Sequence, residues 1–133
     1  MRIMVDTNIL ISALLFPQSR VSRILENIAS QHTLVLASFV VDELRAVVAR
    51  KFSGMVLVVE RLLEKMSFEL VYTPDHIESG LFEIRDMKDY PVLYTAMTNG
   101  VDVLVTGDKD FANVDVDMPE IMTPTQFAET YMI

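Results

Sequence analysis

Short, almost wholly apolar runs alternate along the chain with longer segments whose apolar residues recur at helical spacing. The runs RIMV (2–5), HTLVLAS (32–38), FELVYT (68–73), VDVLVT (101–106) and the shorter MPEIMTP (118–124) predict strands. Between them lie predicted helices. TNILISALLF is stopped by Pro17, which cannot continue a helix. SRVSRILENIAS places Val21, Ile24, Leu25 and Ile28 on one face. FVVDELRAVVARKF follows Ser38, a residue type that caps helix N-termini. GMVLVVERLLEKM and DHIESGLFEIR are also expected to be helical, and PTQFAETYMI forms a final helix. RDMKDYP reads as a polar loop. Its Pro91 suits the first turn of VLYTAMTNG, which Gly100 ends.

Mostly apolar strands alternating with helices imply a parallel sheet covered on both faces. In such sheets function gathers in the crevice beyond the carboxyl ends of the strands. The length, 133 residues, fits one domain spanning 1–133. With 51% hydrophobic residues the chain can bury a sizeable core, which excludes disorder. No apolar run approaches the roughly 20 residues of a membrane span, and MRIMVDTN lacks the apolar stretch of a secretory leader. With no cysteine there is neither a disulfide framework nor a thiolate metal site. A cytoplasmic location is expected. The net charge of −8 disfavours nucleic-acid binding by bulk electrostatics. A chain of this charge acting on RNA needs metal ions, a local basic patch or a partner.

The acids are placed with a pattern. Asp6 follows the first strand directly, and Asp108 and Asp110 follow the fourth through Thr106 and Gly107. Asp42 and Glu43 lie near the start of the helix after strand two, and Asp86 and Asp89 bracket the loop entering the helix before strand four. Helix N-termini after strands face the same edge. Asp6, Glu43, Asp89 and either Asp108 or Asp110 therefore converge in one crevice. Clustered carboxylates repel, so they take up protons or are neutralised by cations. Oxygen ligands without His or Cys favour Mg²⁺ or Mn²⁺, and such a centre suits phosphodiester hydrolysis. Each acid alone also has an ordinary reading. Asp6 and Asp89 can cap helices, Glu43 can lie on a solvated face beside Arg45, and Asp108-Lys109-Asp110 can form an Asx turn. His32 and His76 read as surface residues.

These motifs resemble the PIN domain, the fold of VapC-type toxins and other metal-dependent ribonucleases. MVDTNILISALL is similar to that family's opening strand and first acid. The resemblance implies Asp6 as a metal ligand, with Thr7 and Asn8 as polar neighbours. ASFVVDELRAVVAR resembles the second motif and implies Glu43, supported by the hydroxyl of Ser38. RDMKDYPVLYTAMTNGVDVLVTGDKDF resembles the third and fourth motifs. It implies Asp89, with Asp86 as an accessory acid, then Asp108, with Asp110 as a second candidate and Thr106 as the polar strand-end residue. The implied fold is a three-layer α/β/α sandwich with a central, mostly parallel sheet of four or five strands. Asp6, Glu43, Asp89 and Asp108 would be catalytic, and with Asp110 would hold Mg²⁺ or Mn²⁺. Arg20, Arg23, Arg45, Arg50 and Lys51 are the candidate contacts to the RNA backbone.

The resemblance implies an endoribonuclease that is the toxin of a type II toxin–antitoxin pair, with a cognate antitoxin. The alternative is a catalytically idle PIN-like module for RNA binding or assembly, against which the complete acid set stands. A receiver domain or a haloacid-dehalogenase-like phosphatase fits less well. FELVYTPD places no clean phosphoacceptor, and Asn8 stands where a phosphatase needs its second Asp. A homodimer is expected, because the helices carry more apolar surface than one small sheet can cover.

Overall fold

The structure is a computed structural model, described here over residues 1–111 and 113–132. Five strands form one sheet: β1 (Arg2–Val5), β2 (Thr33–Ala37), β3 (Glu69–Val71), β4 (Val103–Val105) and β5 (Glu120–Met122). The helices are α1 (Thr7–Leu15), α2 (Arg20–Gln31), α3 (Ser38–Lys51), α4 (Val56–Lys65), α5 (Tyr90–Thr98) and α6 (Pro124–Tyr131). The strand order is β3-β2-β1-β4-β5, and every pairing is parallel. β1, β2 and β3 are laid down in one direction. The chain then returns to add β4 on the free side of β1. Right-handed crossovers in the two directions put helices on opposite faces, giving three layers.

The central strands read as unbroken apolar runs because both their faces are covered. Ile3, Met4, Val5, Leu34, Val35, Leu36 and Leu104 are all buried. α1 ends at Leu15, two residues before Pro17. α2 buries Ile24, Leu25 and Ile28, as its spacing requires, while Val21 stays half-buried.

Two expectations are corrected. DHIESGLFEIR is not helical: no regular element lies between Val71 and Met87. Pro74 lies directly before it and Gly80 (φ 83°) interrupts it, and its one buried side chain, Phe82, stacks on Tyr90 at 4.2 Å between ring centroids. The Tyr90 hydroxyl donates to the carbonyl of Glu78 at 2.7 Å and accepts from the N–H of Leu81 at 3.2 Å. Side chains from outside the segment thus satisfy its backbone and override local helix preference. Ser38 is not the N-cap of α3 either. Ala37 holds that position, and the Ser38 hydroxyl accepts from the N–H of Thr73 at 2.8 Å. Thr73 returns the bond, its hydroxyl accepting from the N–H of Phe39 at 3.3 Å. The cap is supplied by the chain leaving β3.

Candidate metal centre

The direction of winding reverses between β1 and β4, and a crevice opens at such a switch point beyond the strands' carboxyl ends. The register pairs Val5 with Val105. The next residues, Asp6 and Thr106, therefore leave the sheet side by side, although they are 100 positions apart. Both are buried. The Thr106 hydroxyl donates to Asp6 Oδ2, and the N–H of Ile9 donates to Asp6 Oδ1 at 3.1 Å. Asp6 thus caps α1, as its ordinary reading holds, and is also tied to the end of β4.

The turn after β4 is built from side chains. The N–H of Asp108 donates to the Thr106 hydroxyl at 3.0 Å, and the N–H of Asp110 donates to Asp108 Oδ1 at 2.9 Å. This is the Asx turn that the spacing allows. It carries both aspartates to the crevice. A second group of acids arrives with α5. Asp86 caps a short 3₁₀ turn, Met87–Asp89, by accepting from the N–H of Lys88 at 3.0 Å, and Pro91 then starts α5. Asp86, Asp89 and Asp110 each offer a carboxylate oxygen, and these atoms lie within 4.8 Å of one another. Asp89 Oδ2 is buried with no hydrogen-bond partner, and Asp89 makes no cap.

Burial is the main reason that Asp6 is pushed up to about 6. The bonds from Thr106 and Ile9 oppose this, and the charges of Asp108 and Glu43 add to it. Asp89 is pushed up to about 7, again first by burial, then by the charges of Asp108, Asp86 and Asp110, and last by a proton shared with the Asp108 carboxylate. The charge of Asp108 therefore bears on both acids. Glu43, half-buried in the second turn of α3, reaches Asp6 through its charge but is not in the compact trio.

The supporting residues divide. Thr7 is buried beside Asp6, and its hydroxyl has no partner among the described residues. Asn8 is exposed. Ser38 works in the Thr73 network described above, which Thr95 joins at 3.0 Å. Arg20, Arg23, Arg50 and Lys51 are exposed and pair with no acid among the described residues. Arg45 pairs with Glu60 at 2.8 Å. Arg50 and Lys51 lie at the far end of α3, roughly 18 Å along its axis from Ser38 at 1.5 Å per residue.

A cation that does stand beside the acids is Arg85, which none of the sequence motifs singles out. Its Nε lies 3.6 Å from Asp110 Oδ1. Its position directly before Asp86 was the available signal. His32 is half-buried against Phe127, edge to face at 5.9 Å, and His76 is exposed.

The donor set is wholly oxygen, which suits a hard divalent cation. The buried, unpartnered Asp89 Oδ2 is the atom such a cation would satisfy, and Asp86 and Asp110 are close enough to share it. The residues fit Mg²⁺ or Mn²⁺.

Residues 2–110 match the family model described as PIN domain. No curated protein matches the chain. Among solved structures, it is similar to a chain in the crystal structure of VapBC2 from Rickettsia felis bound to a DNA fragment from their promoter. The identity is 20%, the TM-score 0.69, and the alignment covers 92% of this chain and 97% of that one. It is also similar to a chain in DNA-bound VapBC from Salmonella typhimurium, at 15% identity and TM-score 0.68, covering 93% and 98%. At these identities the likeness establishes the fold.

Proposed function

The chain belongs to the PIN-domain family, and on that premise we propose that it is a Mg²⁺- or Mn²⁺-dependent endoribonuclease that hydrolyses RNA phosphodiester bonds. The observation that carries the reading is Asp89 Oδ2, buried without a partner and gathered with the oxygens of Asp86 and Asp110. A buried carboxylate oxygen left unsatisfied is costly. Several acids converging on it add repulsion that only protons or cations relieve.

In this reading Asp89 is the central ligand. Asp110, Asp108 and Asp6 complete the metal-binding wall, with Asp86 at its rim. When bound, the cation lowers the pKa of water and stabilises negative charge on the phosphoryl oxygens. Thr106 and the Ile9 N–H hold the Asp6 carboxylate in one orientation. Asp108 Oδ1 is held by the Asp110 N–H. Glu43, near the start of α3, takes the proton of the attacking water as general base. Water attacks phosphorus and the bond to the leaving ribose oxygen breaks, so no protein nucleophile is needed.

The toxin assignment rests on a shared fold and on charge. A protein of net charge −8 with an acidic crevice suits a basic inhibitory segment from a cognate antitoxin. We propose a cytoplasmic homodimer. Leu57 and Val58 on α4, and Phe16 after α1, leave apolar surface exposed. Light scattering at micromolar concentration should give twice the 15.1 kDa chain mass, and the chain mass itself would reject the dimer.

The test of the activity is cleavage of single-stranded RNA with Mg²⁺ or Mn²⁺. Asp89→Asn should cut cleavage roughly 10²–10³-fold with an unchanged circular dichroism spectrum. Undiminished cleavage would remove Asp89 from the site. A wild type that binds RNA without cleaving it would favour the idle binding module.

A further inference from the structure

A polyanion must approach an acidic crevice on a chain of net charge −8; of the helical cations, Arg45 is paired with Glu60, and Arg50 and Lys51 lie at the far end of α3. A groove leads away from the acid wall at Asp110. Ile84 and Arg85 line it from the segment before Asp86, and Lys109, Asn113 and Val114 line it from the turn after β4. It therefore joins the two segments that deliver the acids. It carries two cations, and Glu83 is its other acid.

From this arrangement we infer that Arg85 and Lys109 are the residues that hold the RNA backbone beside the metal centre. The inference rests on the ribonuclease reading and adds the strand's path to it. The Arg85–Asp110 pair is a loose one. Its separation is 3.6 Å and the Arg85 side chain is 83% exposed, so it contributes little to the fold. Its guanidinium is free to turn to a phosphate, which it can hold through two parallel N–H bonds. Lys109 is exposed between Asp108 and Asp110 and pairs with no acid among the described residues. It is a point charge on the wall opposite Arg85. Ile84 and Val114 add apolar lining that ribose and base can cover, and Asn113 adds amide donors. A strand lying there passes Asp110 and brings a phosphate to the acids. Arg85 and Lys109 act as positioning residues, so they govern binding rather than the chemical step.

The test measures anisotropy of a short fluorescein-labelled single-stranded RNA over a salt series. Ca²⁺ replaces Mg²⁺, and a gel confirms that the strand stays intact. Removing one cation that neutralises a phosphate should make the salt slope shallower by about 0.7. The Arg85→Ala/Lys109→Ala double variant should therefore bind more weakly, with a slope shallower by about 1.4. Arg85→Lys should keep most of the slope. In Mg²⁺ the double variant should raise KM with little change in kcat, and its Mn²⁺ affinity should not fall below wild type. Arg61→Ala/Lys65→Ala removes the same two charges from α4 and should leave RNA binding as it is. A double variant with the wild-type slope, or an Arg61/Lys65 variant that loses as much, overturns the inference alone. A wild type that neither binds nor cleaves RNA overturns the ribonuclease reading and this inference with it.

Discussion

At Asp6 each carboxylate oxygen has a donor inside the protein; at Asp89 one oxygen has none. Both acids are pushed well above the ordinary carboxylate range. Their surroundings differ in what remains to be done. Asp6 is fixed by α1 and by the end of β4, so the fold has already oriented it. Asp89 keeps one buried oxygen that no donor among the described residues satisfies. On the proposed reading the first acid anchors the site and the second holds its cation. Substitution at Asp6 should therefore fall mainly on stability, and at Asp89 mainly on metal binding and cleavage.

The pH dependence of stability separates the two. Between pH 4 and 7 the unfolded chain has released protons that folded Asp6 and Asp89 still hold. Without metal, stability therefore falls as pH rises through this window. Asp6 is half ionised at about pH 6 and Asp89 at about pH 7. The buried Asp6 accounts for a loss of about 3 kcal/mol across its window. Asp89, more open to water, accounts for about 1–2 kcal/mol once solvent screening is allowed for. Urea denaturation at pH 4 and pH 8 measures this. Asp6→Asn should flatten the lower part of the decline and Asp89→Asn the upper part. Mn²⁺ should reverse the upper decline in wild type but not in Asp89→Asn. A stability that rises with pH across this window in wild type, and equally in both variants, would break the distinction.

A smaller effect isolates the anchor. Thr106→Val removes the bond that most opposes the upward shift of Asp6. The Asp6 midpoint, followed by carboxyl ¹³C NMR, should rise by up to about one unit, equivalent to about 1.4 kcal/mol. The Asp89 midpoint should stay where it is. Movement of both together would show that the two acids titrate as one group rather than as anchor and ligand.

Much of this was legible in the residues. Apolar runs of strand length alternating with helical spacing identify a parallel α/β sheet, and Asp6 and Asp108 sit next to strand ends in the sequence itself. The strand order was not legible. That Asp6 meets Thr106 depends on β4 returning to pair with β1, and no local pattern records a contact 100 residues apart. DHIESGLFEIR reads as a helix because its composition permits one, while its conformation is set by Phe82 and Tyr90. Ser38 has the chemistry of a cap, but Thr73, brought alongside by the β2–β3 pairing, occupies its hydroxyl. The gathering of Asp86 and Asp110 with Asp89, and the place of Arg85 beside them, depend on how two loops fold against each other.

The central claim is that Asp89 awaits a divalent cation. Calorimetric titration of Mn²⁺ into the metal-free protein at pH 8 tests it most directly. The account predicts binding to wild type, and an affinity at least tenfold weaker in Asp89→Asn, the lower end of what altering a metal site costs. No binding to wild type, or equal binding to both proteins, would contradict it.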